Sequence, residues 1–413
     1  MNGQTERLSA MKVSGHVDER KPSALIEIPW LPEYHGGVNV VVLTLLKHLS
    51  RNNDFDPVLL VNDWDAREPE QSEFRGYQTV KLNLVGPQRG LKSVLSFVRR
   101  MPKLLRQLQD MIKARNVRLI DVHYPTTDAL GFAILKKLGR YSGKFFLSFH
   151  GTDVLTYKSS SFLERCFQNF IISQSDRLIV CSDQLGTELR SAVPEKYREK
   201  IITIRNGVDH EAFLHDDFRQ PDFLEQLEQR DYILCVAKYT PNKGLKTLIT
   251  AFSRVAPAHP DLYLTLVGAS TPYIDELRAL VQDLDIADRV TFFEDVEHAN
   301  LPSFYLNARM LVLPSFREGA PLVLLEAALC KLPVIATRVG GIPELIKHDQ
   351  SGLLFPSGDD NALTEALERV LDDEAVAQRL ATQLHEHVMQ EMTWQSRYNK
   401  YIDVVAGQSR ATG

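Results

Sequence analysis

Pro314-Ser315-Phe316-Arg317-Glu318-Gly319-Ala320-Pro321-Leu322-Val323-Leu324-Leu325-Glu326-Ala327, followed downstream by Gly340-Gly341-Ile342-Pro343-Glu344, is the stretch on which the reading of this chain turns. The apolar run Met310 to Leu313 predicts a strand entering a loop of small residues, and a helix follows at once. Backbone N–H groups at Gly319, Ala320, Leu322 and Val323 would be unpaired at that helix start, while Pro321 has none to give. An anion placed there would meet those donors and the helix dipole, roughly half a positive charge. Glu318 precedes the helix and Glu326 lies one to two turns inside it, so the two carboxylates can do different work. One can hydrogen-bond sugar hydroxyls at the reacting end of a nucleotide sugar, and the other the ribose hydroxyls beyond the diphosphate. The plainer alternative is that Glu318 only favours the helix N-terminus and Glu326 is a solvated helix residue.

The spacing Glu-x7-Glu after Pro-Ser, with Gly-Gly-x-Pro-Glu downstream, resembles the retaining GT-B glycosyltransferases of the large family 4 type, the glycosyl transferases of group 1. The resemblance implies an α/β protein with two Rossmann-like doubly wound domains facing a central cleft. It places Glu318 by the donor sugar and Glu326 on the ribose.

Length and composition fit such a chain. At 413 residues it is long enough for two cores. A net charge of −5 gives no global pull toward nucleic acid or membrane, so no nucleic-acid partner is expected. Cys166, Cys181, Cys235 and Cys330 show no metal spacing and read as buried free thiols of a reducing compartment. The polar leader, residues 1–22, lacks a signal-peptide core, and the apolar run around Val38 to Leu46 is too short to span a bilayer, so the expected location is cytoplasmic.

From the amino end, Ala24 to Ile28 reads as a buried strand, followed by a turn through Pro29 to Gly37 and a helix from about Val38 to Leu49. Gly36 and Gly37 could admit a phosphate or an acceptor to the backbone, or simply form a tight turn. The resemblance puts the family's N-domain glycine loop here, against the donor. Strands are expected at Val58 to Val61, Thr79 to Leu82, Leu119 to His123, Phe145 to Phe149, Leu178 to Cys181 and Ile201 to Ile204, alternating with helices as in a parallel sheet. Asp63-Trp64-Asp65 matches Asp-x-Asp formally but reads as a surface loop, and no metal and no resident cofactor are expected; the nucleotide-diphosphate sugar is a co-substrate.

Nine cations from Arg89 to Arg118 are opposed only by Asp110. Apolar positions Leu91, Val94, Leu95 and Val98, then Leu104, Leu105, Leu108 and Ile112, predict two amphipathic helical pieces broken at Pro102. Their basic face is either simply solvated or meets anionic membrane or a polyprenyl-diphosphate acceptor. Peripheral contact with the inner face of a membrane would follow from the second reading.

His150-Gly151-Thr152-Asp153 ends a strand, where glycine can bring the ring to a ligand. Asp153 reads as a loop organiser. By resemblance, His150 contacts the donor sugar and stabilises charge that develops there. Asn206-Gly207-Val208-Asp209 matches the signature that ends the family's N-domain. The domains are therefore expected at residues 23–207 for the acceptor and 208–390 for the nucleotide-sugar donor. A helix over 391–405 would return to the first domain, and a flexible tail over 406–413 would end the chain.

In the second half, Phe213 to Arg230 reads as a polar helix and Tyr232 to Ala237 as a strand leading into Lys238-Tyr239-Thr240-Pro241-Asn242-Lys243-Gly244. Two lysines in one loop can both reach a diphosphate leaving group, or can be plain surface lysines. The family pattern is Gly-Arg-x(3 or 4)-Lys-Gly, so Lys243-Gly244 match while Ala237-Lys238 stand for Gly-Arg. Lysine keeps the charge but loses the bidentate guanidinium fork. Glu294-Asp295-Val296 departs from the family's glycine before the base-contacting residues, which leaves UDP and GDP donors both open.

The expected function is retaining, metal-independent transfer of a sugar from a UDP or GDP donor to a hydroxyl of a glycan or polyprenyl-diphosphate-linked acceptor, in polysaccharide synthesis. Alternatives are a catalytically silent nucleotide-sugar-binding partner and a GT-B epimerase. A dinucleotide oxidoreductase is disfavoured, because no strand is followed by Gly-x-Gly-x-x-Gly.

Overall fold

A computed structural model describes residues 20–33, 36–87, 91–213 and 230–408. Most of the expected leader, Arg89, residues 214–229 of the expected polar helix and residues 409–413 of the expected tail lie outside the described residues. Two compact units emerge: Met1–Arg205 together with Arg397–Gly413, and Asn206–Ser396.

The first unit is built on β1 (Ser23–Ile28), β2 (Asp56–Asn62), β3 (Glu70–Phe74), β4 (Tyr77–Leu82), β5 (Val117–His123), β6 (Lys144–Phe149), β7 (Arg177–Val180) and β8 (Ile201–Thr203). They lie in the order β3-β4-β2-β1-β5-β6-β7-β8, parallel throughout except for β3 against β4. β1 is buried along its whole length, as expected of a strand with both faces covered. The strand order reverses between β1 and β5, the switch point of this sheet, where the loops after β1 and β5 are the expected ligand side.

β3 was not expected from sequence, because Glu70, Gln71, Ser72 and Glu73 are all exposed and give no apolar alternation. Its pairing is set by a two-residue reversal in which Arg75 and Gly76 both take positive φ, at 50° and 83°.

The break expected at Pro102 does not occur: one helix runs Leu91–Ala114 with Pro102 inside it. Pro102 is exposed, so the carbonyl it strands faces water, while Phe97, Leu104, Leu108 and Ile112 keep one continuous buried stripe. Phe97 is the core residue of the first half, and the expected stripe residues Leu95 and Val98 are 62% and 57% exposed. The cysteine expectation also needs correcting: Cys181 and Cys235 are buried, but Cys166 is exposed and Cys330 half-buried.

The second unit contains β9 (Asp231–Val236), β10 (Leu262–Gly268), β11 (Val290–Glu294), β12 (Met310–Leu313), β13 (Val334–Thr337) and β14 (Leu353–Phe355). Its order is β11-β10-β9-β12-β13-β14, all parallel. That is the 3-2-1-4-5-6 arrangement, with its switch between β9 and β12. The loops that leave those two strands carry Lys238 to Gly244 and Pro314 to Pro321.

The last helix, Trp394–Val405, sends Tyr398 to Asp54, Tyr401 to Asp121 at 2.8 Å and Arg397 to the carbonyls of Ile204 and Arg205 at 3.0 Å. Among the described residues no helix is long and apolar enough to cross a membrane. A cavity of about 550 Å³ opens at the opposite, amino edge of the first sheet. There Lys21 already pairs with Asp56, and Arg115 bonds Gln78, so the cavity offers no loose charge pattern.

Candidate functional site

In the first unit, β6 ends at Phe149, and His150 and Gly151 turn the chain into the helix Thr152–Lys158. Asp153, 2% exposed, holds this turn together. Its carboxylate accepts the N–H of His150 at 2.8 Å, of Gly151 at 2.7 Å and of Val154 at 3.0 Å, which makes it the organiser of the loop. Burial pushes its carboxyl up to about 6, and those N–H donors only partly oppose the shift. A raised carboxyl stabilises the fold fully below the unfolded value near 3.8 and loses that contribution as pH rises through about 6. Relative to Asp153→Asn, the wild-type protein is therefore expected to lose on the order of 2–3 kcal/mol between pH 4 and 6. Denaturant melts of the two proteins across that range measure it.

The half-buried His150 ring presents Nε2 to His123 Nδ1 at 2.9 Å, with the rings stacked at 5.1 Å between centroids. Burial, then His123 and Arg397, hold the His150 imidazole well below its usual range, so it is neutral at physiological pH. His123 was missed in the sequence. The available signal was its alternation with Asp121, two polar residues on one face of an otherwise apolar strand.

Gly36 and Gly37 are exposed at the start of the helix Gly37–Arg51, where the Gly36 carbonyl accepts from Asn39 at 3.1 Å. The Asn39 side chain pins the loop before them, accepting from the Trp30 indole at 2.7 Å and donating to the Pro32 carbonyl at 3.1 Å.

In the second unit the two loops of the switch point lock together. Phe316 N–H donates to the Asn242 carbonyl at 2.9 Å, and Lys243 Nζ lies 2.6 Å from Glu318 Oε1. The same oxygen accepts from Ser315 Oγ at 2.6 Å. Two glycines permit this closeness. A Cβ at Gly244 (φ +66°) would fall 2.1 Å from the Pro314 carbonyl oxygen, and one at Gly340 (φ +54°) 1.8 Å from that of Glu318. The helix begins at Leu322, three residues later than the loop glycine Gly319, with Pro321 as an N-cap that contributes no side-chain bond. Gly319 and Ala320 serve as acceptors instead, from Gly341 N–H at 3.1 Å and Asn206 Nδ2 at 2.9 Å. Lys238 is exposed and has no side-chain partner among the described residues.

Glu326 is not solvated. It is 4% exposed, and its two oxygens take the Tyr305 hydroxyl at 2.7 Å and His298 Nε2 at 2.9 Å. Burial, and then the Glu326 carboxylate, lift the Tyr305 hydroxyl well above its usual range. Asp63 turns out to close its own loop, accepting the Asp65 N–H at 3.0 Å, with Trp64 exposed.

A sequence profile for the glycosyl transferases of group 1 matches residues 216–387, and one for glycosyltransferase family 4 matches residues 35–212. The chain belongs to this glycosyltransferase family. Sucrose-phosphate synthase from Thermosynechococcus elongatus superimposes with a TM-score of 0.75 over 93% of this chain and 98% of its own, at 25% identity. The glycosyltransferase is also 27% identical over 299 residues to N-acetyl-alpha-D-glucosaminyl L-malate synthase of Bacillus anthracis, 72% of this chain and 77% of that protein. A GDP-mannose-dependent alpha-(1-6)-phosphatidylinositol monomannoside mannosyltransferase of Mycobacterium tuberculosis is 29% identical over 214 residues. That match takes in 50% of this chain and 55% of the relative, so the glycosyltransferase spans about half the length of that protein. Both of its units have the doubly wound GT-B architecture. The residues not foreseen in this glycosyltransferase (Ser315, Tyr305, His298, His123 and Asp121) all bond a foreseen residue or stand next in line to one.

Proposed function

We propose that this glycosyltransferase moves a sugar, with retention of configuration, from a UDP or GDP donor to a hydroxyl of a glycan or polyprenyl-diphosphate-linked acceptor in polysaccharide synthesis. The observation that carries the reading is the Lys243–Glu318 pair, held at the β9/β12 switch point beside a helix N-terminus. In this scheme Lys243 and Lys238 take the charge of the departing diphosphate, helped by the N–H groups of Leu322 and Val323. Glu318 keeps one oxygen on Lys243 and turns the other to the sugar. Glu326 takes the ribose hydroxyls by exchanging His298, the more exposed of its two partners, while Tyr305 holds the second oxygen. Gly36 and Gly37 are read as donor-binding and His150 as a group that meets the sugar.

The scheme requires no resident cofactor or metal. Turnover is expected to be unchanged in excess EDTA, and loss of activity that magnesium restores would remove that part. The main test is release of nucleoside diphosphate from a panel of UDP and GDP sugars, with and without acceptor, followed by NMR of the product's anomeric centre. Release with retention supports the reading, inversion overturns the chemistry, and no release with any donor favours a silent binding partner. A donor present at about 100 times its Kd should also raise stability by about 2.7 kcal/mol.

The membrane-facing part of the proposal rests on the helix Leu91–Ala114, where exposed Leu95 and Val98 sit among Lys92, Arg99 and Arg106. Arg100, Lys103, Arg115 and Arg118 are already bonded to Asn83, Glu68, Gln78 and Asn116, so fewer cations are available than the charge count implies. Co-sedimentation with anionic vesicles that neither salt nor Leu95→Ser weakens would sink it.

A further inference from the structure

Behind His150 lies a line of buried polar groups that the proposed transfer does not yet use. Asp121 on β5 is fully buried, as is His123 two residues on, and both face the same side of the sheet as Ser148 on β6. Asp121 Oδ1 accepts from Ser148 Oγ at 2.8 Å and Oδ2 from the Tyr401 hydroxyl at 2.8 Å. His123 Nε2 stands 3.4 Å from that same Oδ2, a charge contact in which the buried nitrogen makes no hydrogen bond, and His123 Nδ1 is 2.9 Å from His150 Nε2. Burial alone would push the Asp121 carboxyl up, but His123, Ser148 and Tyr401 outweigh it and keep the group ionised.

We propose that Asp121 and His123 are positioning residues for His150, orienting its imidazole with Nε2 as donor to His123 and Nδ1 as acceptor for a substrate hydroxyl. The proton logic runs outward from the carboxylate. An ionised Asp121 can only accept, so with His123 neutral its carboxylate favours the His123 proton on Nε2, the ring nitrogen that faces it. His123 Nδ1 is then bare and must accept, which places the His150 proton on Nε2 and leaves its Nδ1 with a lone pair. Among the described residues His150 Nδ1 has no hydrogen-bond partner, and the ring is half-buried rather than sealed. The charged and titratable groups around the pair include Glu27 on β1, Asp121, Asp153, Cys181, Arg397 and Tyr401. The inference rests on the reading that His150 meets substrate, and its test separates the two.

Two-bond 1H–15N spectra of the full chain labelled on histidine nitrogens report which ring nitrogen carries the proton. In the wild-type protein His150 is expected to be protonated at Nε2 and bare at Nδ1. Asp121→Asn offers an N–H in place of an acceptor and is expected to reverse the line, moving the His150 proton to Nδ1 and lowering kcat by about 10²-fold or more, by analogy with carboxylates that fix a histidine tautomer. Tyr401→Phe removes one of the three groups that keep this carboxylate ionised, and should shift the spectrum and kcat in the same direction as Asp121→Asn but by less. A wild-type His150 protonated at Nδ1, or an Asp121→Asn spectrum identical to wild type, overturns the proposal whatever the turnover. If Asp121→Asn does not fold, the wild-type spectrum still decides. If His150→Ala turns over like wild type, the role of His150 fails instead, independently of the spectrum.

Discussion

Lys243→Ala is expected to lower donor turnover by about 10²- to 10³-fold, the usual loss when one well-placed group that stabilises leaving-group charge is removed. The difficulty in interpreting such a loss is that Lys243 also holds Glu318, whose side chain is only 10% exposed. Without its ammonium partner that carboxylate keeps Ser315 but loses a charge, at a stability cost of about 1–3 kcal/mol for a half-buried pair. A purely structural lysine and a phosphate-binding lysine therefore both predict a slower enzyme. They part company in binding. If Lys243 meets the diphosphate, Lys243→Ala weakens free nucleoside diphosphate by about tenfold or more in calorimetry, whereas Glu318→Gln, which keeps the Ser315 contact, leaves that affinity nearly unchanged while slowing transfer. If instead the double variant Lys243→Ala/Glu318→Gln binds diphosphate as the wild type does, Lys243 is only a prop for the carboxylate. Lys238→Ala should act on the same affinity more weakly, since its exposed ammonium is screened by solvent and has no partner to fix it among the described residues.

What the sequence disclosed about this site follows from how local each feature is. The strand-to-loop-to-helix order around Glu318 is written in an apolar run, a cluster of small residues and a second apolar run, and that order survives in the structure. The pairing of Glu318 with Lys243 joins positions 75 residues apart, and only the sheet order brings β9 next to β12. Glu326 was harder still. A glutamate on a helix is ordinarily solvated, and its burial here depends on Tyr305 and His298 arriving from a different element. The same limit explains the helix Leu91–Ala114. Proline reads as a break from neighbouring residues alone, yet an exposed proline costs little when the buried stripe continues past it. Polar β3 could be placed only through its partner β4 and the Arg75-Gly76 reversal. Strands buried on both faces, such as β1 and β12, were the most legible elements, because burial on both sides makes them nearly continuous apolar runs, with only Ser23 and Glu27 as polar residues in β1.

Gly340→Ala is the single methyl group expected to do most damage. The new Cβ would lie 1.8 Å from the Glu318 carbonyl oxygen, with Glu318 C next at 2.8 Å and Glu318 N at 3.3 Å, so it meets backbone and no rotamer change can relieve it. The φ of +54° adds strain of its own. Together these should cost about 2–4 kcal/mol, read from denaturant melts. Relief requires the two turns to part, which stretches the Gly341 N–H to Gly319 carbonyl bond, now 3.1 Å, and shifts Glu318 away from Lys243. A displacement of about 1 Å at a positioned group is enough to slow a reaction by about 10²-fold, so turnover should fall even in the fraction that stays folded. Gly139→Ala supplies the control: its φ is +67° but nothing lies within 4 Å of the added carbon, so it carries the conformational strain without the collision. If the two variants melt alike and Gly340→Ala retains full turnover, the close approach of the Gly340 turn is not what holds Glu318 in place.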